Sequence, residues 1–258
     1  MTQGLDGARV LPEIRTLHLL DGALRAEGLA VIIDVFRAFT LAPCLFAGGA
    51  ARVLAVATPD EALALKRAHP DWLLAGERDG RPLPGFDLPN SPARALAEDF
   101  SGRTVVLRTS AGVQGLLAAR RAAAVITGSF ANAEAVAAYA RRHRLVSLVC
   151  MGWNASEVTA DDTECAAYLE AGIRGRFPPL DPIRARLRAD PSGAKFFDPA
   201  RPWFPEADFE VCTSPPRFDF VLRARYDAGG PVELERLSDA DAGARGGYSG
   251  AGSASDPP

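Results

Sequence analysis

The sequence predicts an α/β protein: a three-layer α/β/α sandwich on a mostly parallel or mixed sheet, followed by a loop-rich C-terminal segment and a late hairpin. Three observations predict it. Short apolar runs rich in β-branched residues recur between residues 29 and 150, and each is followed by a stretch of helical character. The runs show little alternation, which suits strands buried on both faces. Polar or glycine residues gather at the carboxyl end of one run after another.

The apolar runs lie at 29–35, 52–57, 72–77, 104–109, 123–128 and 145–150. Helices are expected at 38–50, 59–69, 92–99, 112–122, 131–142 and 161–172. Thr58-Pro59 and Asn90-Ser91-Pro92 supply caps with a proline in the first turn. Strand and helix alternating over this length point to layered α/β architecture. After residue 175 the chain turns proline- and aromatic-rich, as expected of loops and short helices wrapping the main layer. Residues 218–237 read as strand, glycine turn, strand, hence a late hairpin or edge pair. Residues 1–238 are expected to form one domain, and the small, polar 239–258 a disordered tail.

At 258 residues, with 48% apolar and 24% charged content, the chain can bury one sizeable core. Its formal charge of −3 gives no general pull toward nucleic acid or an anionic membrane. No apolar run approaches the ~20 residues of a membrane helix, and the first 22 residues lack a signal-peptide core. Cys44, Cys150, Cys165 and Cys212 form no CxxC pair, so reduced thiols and a cytoplasmic location are expected. Homo-oligomerisation stays open.

Function is read from position. Asp34 and Arg37 follow the first run; Glu77 and Arg78 the third; Arg108, Thr109 and Ser110 the fourth; Gly128 and Ser129 the fifth. In open α/β sheets, ligands lie outside the carboxyl ends of strands, where helix N-termini favour anions. An anion-binding cleft follows, without naming the anion. Each residue also has a plainer reading. Asp34 suits a helix N-cap, Arg37 a helix surface, and the loops at 85–92, 109–112 and 128–133 ordinary turns. Cys165 suits a packed helix face, and His18, His69 and His143 have no metal-like spacing. Familiar phosphatase and nucleotide motifs are absent. Phe36 stands where a DxD pair needs its second aspartate, no cysteine starts Cys-x5-Arg, and there is no GxxxxGK(S/T) or GxSxG.

Six segments carry a more specific signal: VIIDVFRAFT (31–40), LLAGERDGRPLPGFDLPNSP (73–92), LRTSAGVQGL (107–116), ITGSFANAEAVA (126–137), LVCMGW (148–153) and ADDTECAAYL (160–169). In order and spacing they resemble the 2-phosphosulfolactate phosphatase family, over about residues 28–172. The resemblance implies an α/β fold, Mg²⁺ dependence, and hydrolysis of 2-phospho-3-sulfolactate to sulfolactate and phosphate. The chain departs from the family pattern at Pro89, where a glycine is usual, and at Ala111-Gly112-Val113, where Asn-Gly-Thr is usual. It departs again at Asp161 for glutamate and Ala167 for glycine.

A Mg²⁺ held by one or two carboxylates suits the slow hydrolysis of a phosphate monoester. Asp34, Glu77, Asp161 and Asp162 are the candidates, with Asp34 and Asp162 as the first choice for metal ligands. Asp34, Arg37, Glu77 and Asp162 form the expected catalytic group. Arg37, Arg78 and Arg108 can each fork onto an oxyanion, and Asn90, Ser110, Ser129 and Asn132 add neutral donors to a small anionic phosphate ester. Cys165 is a candidate thiol nucleophile. Two other readings stand beside this one: a non-catalytic protein binding an anionic metabolite, and a phosphatase for a different phospho-acid.

Overall fold

A computed structural model describes residues 11–238; the tail expected at 239–258 lies outside the described residues. All six apolar runs form strands: β2 (Leu29–Ile33), β3 (Arg52–Val56), β4 (Leu73–Arg78), β7 (Thr104–Arg108), β8 (Ala124–Gly128) and β9 (Leu145–Cys150). Every residue of β2 is buried, as an unbroken apolar run requires. Two short strands, β5 (Arg81–Pro82) and β6 (Leu88–Pro89), pair with β4. β1 (Glu13–His18) is a strand the pattern missed. It runs parallel to β9 at the sheet edge, where charged, half-solvated residues are tolerated.

The helices from residue 38 to 173 follow the expected order, and a short one at Leu19–Leu24, which the pattern missed, precedes them. Together they include α1 (Leu19–Leu24), α2 (Ala38–Ala47), α3 (Pro59–Ala68), α4 (Pro92–Ala95), α5 (Gly112–Ala118), α6 (Ala133–Ala140) and α7 (Ala160–Ile173). Thr58 and Glu61 close a reciprocal capping box on α3, and Ser91 caps α4. A 3-10 turn, Phe130–Asn132, takes the first part of the helix expected from 131. Beyond residue 175 the wrap contains α8 (Leu180–Ala189), α9 (Pro191–Ala194), a 3-10 turn at Lys195–Phe197 and α10 (Glu206–Cys212).

The hairpin, β10 (Val221–Tyr226) and β11 (Val232–Leu237), is not an edge pair. The strand order is β1-β9-β2-β8-β10-β11-β3-β7-β4-β5, so the hairpin sits in the middle. Its alternating charges suggest a solvated edge, but they are answered by pairing within the sheet. Arg223 meets Glu235, and Glu233 meets Arg52 on β3 at 2.9 Å. Three antiparallel steps (β8 to β10, β10 to β11, β11 to β3) make the sheet mixed and set its two parallel halves in opposite directions.

Helices tie those halves together. α2, which leaves β2, touches β3, while α5, which leaves β7, touches β2. Ala30 and Ile32 of β2 therefore share one core with Val105 and Leu107 of β7, Phe39 of α2 and Leu116 of α5. The alternate residues Leu29, Val31 and Ile33 pack under α6 and α7 on the other face, and α3 covers Val106 and Leu74. Helices thus lie on both faces of the sheet, and burying each large side chain contributes about 1.5–3 kcal/mol. Among the described residues no helix is long and apolar enough to cross a membrane.

Candidate active site

The crossing of helices brings the carboxyl ends of β2, β4 and β7 to one crevice of about 340 Å³, including its open mouth. Asp34 follows β2 and faces the crevice. Its Oδ1 accepts from Ala38 N at 3.2 Å, which caps the start of α2, and its Oδ2 accepts from Gly112 N at 2.9 Å across the crevice. A side chain at position 112 would put its Cβ 2.7 Å from that oxygen, so only glycine lets the backbone come so close. Asp34 is 7% exposed. Its carboxyl is pushed up to about 7, because burial and the charges of Glu77 and Asp161 outweigh the N–H donors of Ala38 and Gly112.

Glu77, at the end of β4, is held as firmly. Oε2 accepts from Gly80 N at 2.6 Å and Oε1 from Ser110 N at 2.7 Å. Asn90 lines the same space, buried, and its Oδ1 has no hydrogen-bond partner. Thr109, Ser110 and Ala111 form the wall after β7, and Gly152, Trp153 and Asn154 the wall after β9.

Asp161 and Asp162, at the start of α7, stand behind the crevice rather than on it. Asp162 is 1% exposed; its Oδ1 accepts from Val35 N at 2.8 Å and its Oδ2 from Gly152 N at 2.7 Å. Asp161 Oδ2 accepts from Phe36 N at 3.2 Å. The pair clamps the chain that carries Asp34. Burial raises the pKa of both carboxyls, and for Asp162 the charges of Asp161 and Asp34 add to the rise. Asp34 lines the crevice and Asp162 does not, so the two expected metal ligands do not face one space together.

Other expected residues also change role. Arg37 borders the crevice but is only 1% exposed, with its fork turned to protein partners. Nη1 donates to Asp208 Oδ2 at 2.7 Å and to Trp203 O at 2.9 Å, and Nη2 donates to Gly80 O at 2.9 Å. These bonds use three of the five N–H donors of the guanidinium. Arg108 donates to the Glu77 carbonyl and to Ser110 Oγ, and it supports the wall rather than lining it. Arg78 is exposed and does not line the crevice. Ser129 and Asn132 are fully buried in the turn before α6, where Asn132 Oδ1 accepts from Ser129 N at 3.2 Å. Cys165 is fully buried beneath the sheet, and burial with the nearby Asp162 charge pushes its thiol well up, opposite to what a nucleophile needs.

Sequence reasoning missed a group beyond residue 186. Asp208 on α10 is wholly buried; besides Arg37 it accepts from Ser91 Oγ at 2.7 Å and Ala93 N at 3.0 Å. One carboxylate thereby joins the Arg37, Gly80 and Asn90 loops. Phe204 lines the crevice, and Lys195 lies over its ring. The density of aromatic residues in 196–209 was the available signal. Read alone, it indicates only packing.

Residues 15–186 match the family model described as 2-phosphosulpholactate phosphatase. A protein of Bacillus subtilis (strain 168) named "Probable 2-phosphosulfolactate phosphatase" is 35% identical over 219 residues, 83% of this chain and 94% of that protein. The chain belongs to the 2-phosphosulfolactate phosphatase family. That family consists of phosphoric monoester hydrolases, so the chain is an enzyme of that class. Relatives of the same name from Deinococcus radiodurans and Caldicellulosiruptor saccharolyticus are 41% and 36% identical, over 55% and 59% of this chain. Those two alignments span 60% and 65% of the relatives' own lengths. Asp34, Glu77, Asn90 and Asp162 fall inside the matched region of the family, and Lys195, Phe204 and Asp208 outside it.

Proposed function

We propose that the protein is a Mg²⁺-dependent phosphatase of the cytoplasm, acting on a small acidic phosphate monoester, with 2-phospho-3-sulfolactate as the favoured substrate. The names of its relatives support the substrate, and four free, buried cysteines suit a reducing compartment. The observation that carries the reading is the single crevice lined by Asp34, Glu77 and the unpartnered Asn90 Oδ1.

That crevice fits a hard divalent cation. Its donors are oxygens, one lacks any protein partner, and burial together with the charges of Glu77 and Asp161 raises Asp34. Among the described residues no three of His, Cys, Asp and Glu converge on an ion by themselves. Mg²⁺ commonly uses one or two carboxylates and leaves its other positions to water and phosphate. Asp34, Glu77 and Asn90 would hold it, with Asp162 and Asp161 keeping the Asp34 loop in place from behind. When bound, such an ion supplies positive charge to the phosphoryl oxygens.

The chain's own residues do the rest. Ser110 Oγ accepts from Arg108 at 3.1 Å and keeps its hydroxyl proton to donate to a phosphate oxygen. Arg37, fixed by Asp208, holds the Gly80 carbonyl, and Gly80 N in turn holds Glu77. Trp153 and Phe204 give the crevice a water-excluding wall, which strengthens charge interactions inside it. A panel of small phosphate esters incubated with the purified protein and Mg²⁺ tests the reading. Phosphate release should be fastest from phosphosulfolactate. Faster release from another phospho-acid would reassign the substrate, and no release from any ester would favour the non-catalytic reading.

A further inference from the structure

A substrate with a second acid group needs a cation, and the arginines near the crevice are engaged in part by protein or stand in solvent. Arg37 is tied to Asp208 and two carbonyls, Arg108 holds the Glu77 carbonyl, and Arg78 is exposed. Lys195 is different. Among the described residues no carboxylate or carbonyl oxygen comes within hydrogen-bonding distance of its ammonium. The group lies instead over aromatic rings, 4.5 Å from the centroid of Trp153, 5.0 Å from Phe204 and 5.9 Å from Phe36. Those three rings also wall the crevice.

Ring faces offset part of the desolvation of an ammonium, but they offer no acceptor to its three N–H groups. Burial lowers the pKa of Lys195, while the carboxylates of Asp161, Asp34 and Asp162 act to keep it charged. Lys195 does not itself line the crevice; it lines a neighbouring depression that shares Trp153 with it. The ammonium therefore stands beside the acid-lined space, across the shared rings, with no protein acceptor among the described residues.

We propose that Lys195 is a substrate-binding residue that receives the second anionic group, carboxylate or sulfonate, of a phosphate ester whose phosphoryl end lies among Asp34, Glu77 and Asn90. This rests on the phosphatase reading. The acid-lined end suits the metal-bridged phosphoryl group, and the aromatic end suits a sulfonate or carboxylate on a short carbon skeleton. It makes Lys195 the determinant of preference for esters that carry an acid.

The test compares wild type and Lys195→Met by kinetics and by calorimetry, in Mg²⁺. The probes are phosphosulfolactate, ethyl phosphate, sulfolactate and inorganic phosphate. A charge-assisted hydrogen bond lost in a dry site corresponds to about tenfold or more in affinity. KM for phosphosulfolactate and Kd for sulfolactate should rise by that factor, while KM for ethyl phosphate and Kd for inorganic phosphate stay within about twofold. Equal losses on all four probes, no loss on any, or failure of wild type to bind sulfolactate would overturn the proposal. If wild type binds sulfolactate but hydrolyses no ester, the phosphatase reading fails and Lys195 is judged on the calorimetry alone. Should Lys195→Met not fold, acetylation of Lys195 in wild type, followed by mass spectrometry, replaces it. Protection by sulfolactate but not by inorganic phosphate supports the proposal, and equal or absent protection overturns it.

Discussion

Asp34, Glu77 and Asn90 come from strand-end loops inside the family-matched region, whereas Asp208, Lys195 and Phe204 come from the wrap beyond residue 186. Asp34 and Glu77 are oriented by backbone N–H donors a few residues away or from a facing loop. The second group works through side chains that arrive from far along the chain: a buried ion pair at 2.7 Å and a set of ring contacts. Strand ends thus carry the charges that chemistry needs, and the wrap decides how closely those ends are held and what borders them. Damage on the two sides should therefore look different, turnover falling first on one and stability on the other.

The sharpest division is expected at Asp34. Asp34→Asn keeps an oxygen for Ala38 or Gly112 but loses the charge a hard cation prefers. Phosphate release at saturating Mg²⁺ should fall about a thousandfold or more, with little change in melting temperature. Near-wild-type turnover would leave Asp34 as a helix cap and move the chemistry elsewhere in the crevice.

On the other side, Asp208→Ala strands the Arg37 guanidinium in a site where both partners are essentially unexposed. Breaking a buried pair from one end costs about 3–5 kcal/mol, or roughly 6–20 °C in Tm for a chain of this size. Arg37→Met combined with Asp208→Ala should cost less than the sum of the single changes, since neither charge is then left alone. An additive double mutant would mean that the pair does not couple the wrap to the crevice.

The same comparison explains what was legible in the sequence. Buried parallel strands need unbroken apolar runs, so β2, β3, β4, β7, β8 and β9 could be read directly. Asp34 and Glu77 lie at the ends of such strands, and position alone marks them, whereas Asn90 stands out only through the GFDLPNSP segment of the family resemblance. The hairpin was visible as a hairpin, but not as the centre of the sheet, because charges that pair across strands look like charges that face water. Arg37 reads as an oxyanion grip in the sequence because the carboxylate it meets among the described residues, Asp208, lies 171 residues away. Long-range polar pairing leaves no periodic trace in a single sequence.

pH offers a smaller, graded test of the carboxylate side. Asp34 is raised to about 7 from an ordinary value near 3.8, and Asp161 and Asp162 shift in the same direction. The folded state then holds protons more tightly than the unfolded one. Their contribution favours folding below about pH 4, is lost as pH rises toward about 7, and levels off for Asp34 above that. Urea midpoints of the metal-free protein should fall across this window. Added Mg²⁺ should recover more stability at pH 7.5 than at pH 5, because it competes with the same protons. A flat profile would show that these acids are not crowded enough to need a cation.

The smallest effect is expected at Cys165, which sits between the two regions, on α7 three residues after Asp162. Its side chain is fully buried beneath β2 and β9 with Leu169 and Val136, and it does not line the crevice. Burial and the adjacent Asp162, Cys150 and Asp161 push the thiol well above its ordinary value, so a thiolate is disfavoured at neutral pH. Cys165→Ala removes one sulfur from a packed interior, which costs about 1 kcal/mol through lost contacts. The variant should keep at least about a third of wild-type turnover, with KM unchanged, because Asp162 can still accept from Val35 and Gly152. Rapid-quench labelling with a phosphate ester should leave no phosphate on Cys165 of the native protein. A folded but inactive Cys165→Ala, together with a trapped phosphocysteine, would transfer the chemistry from the strand-end acids to α7 and undo the division between the two regions.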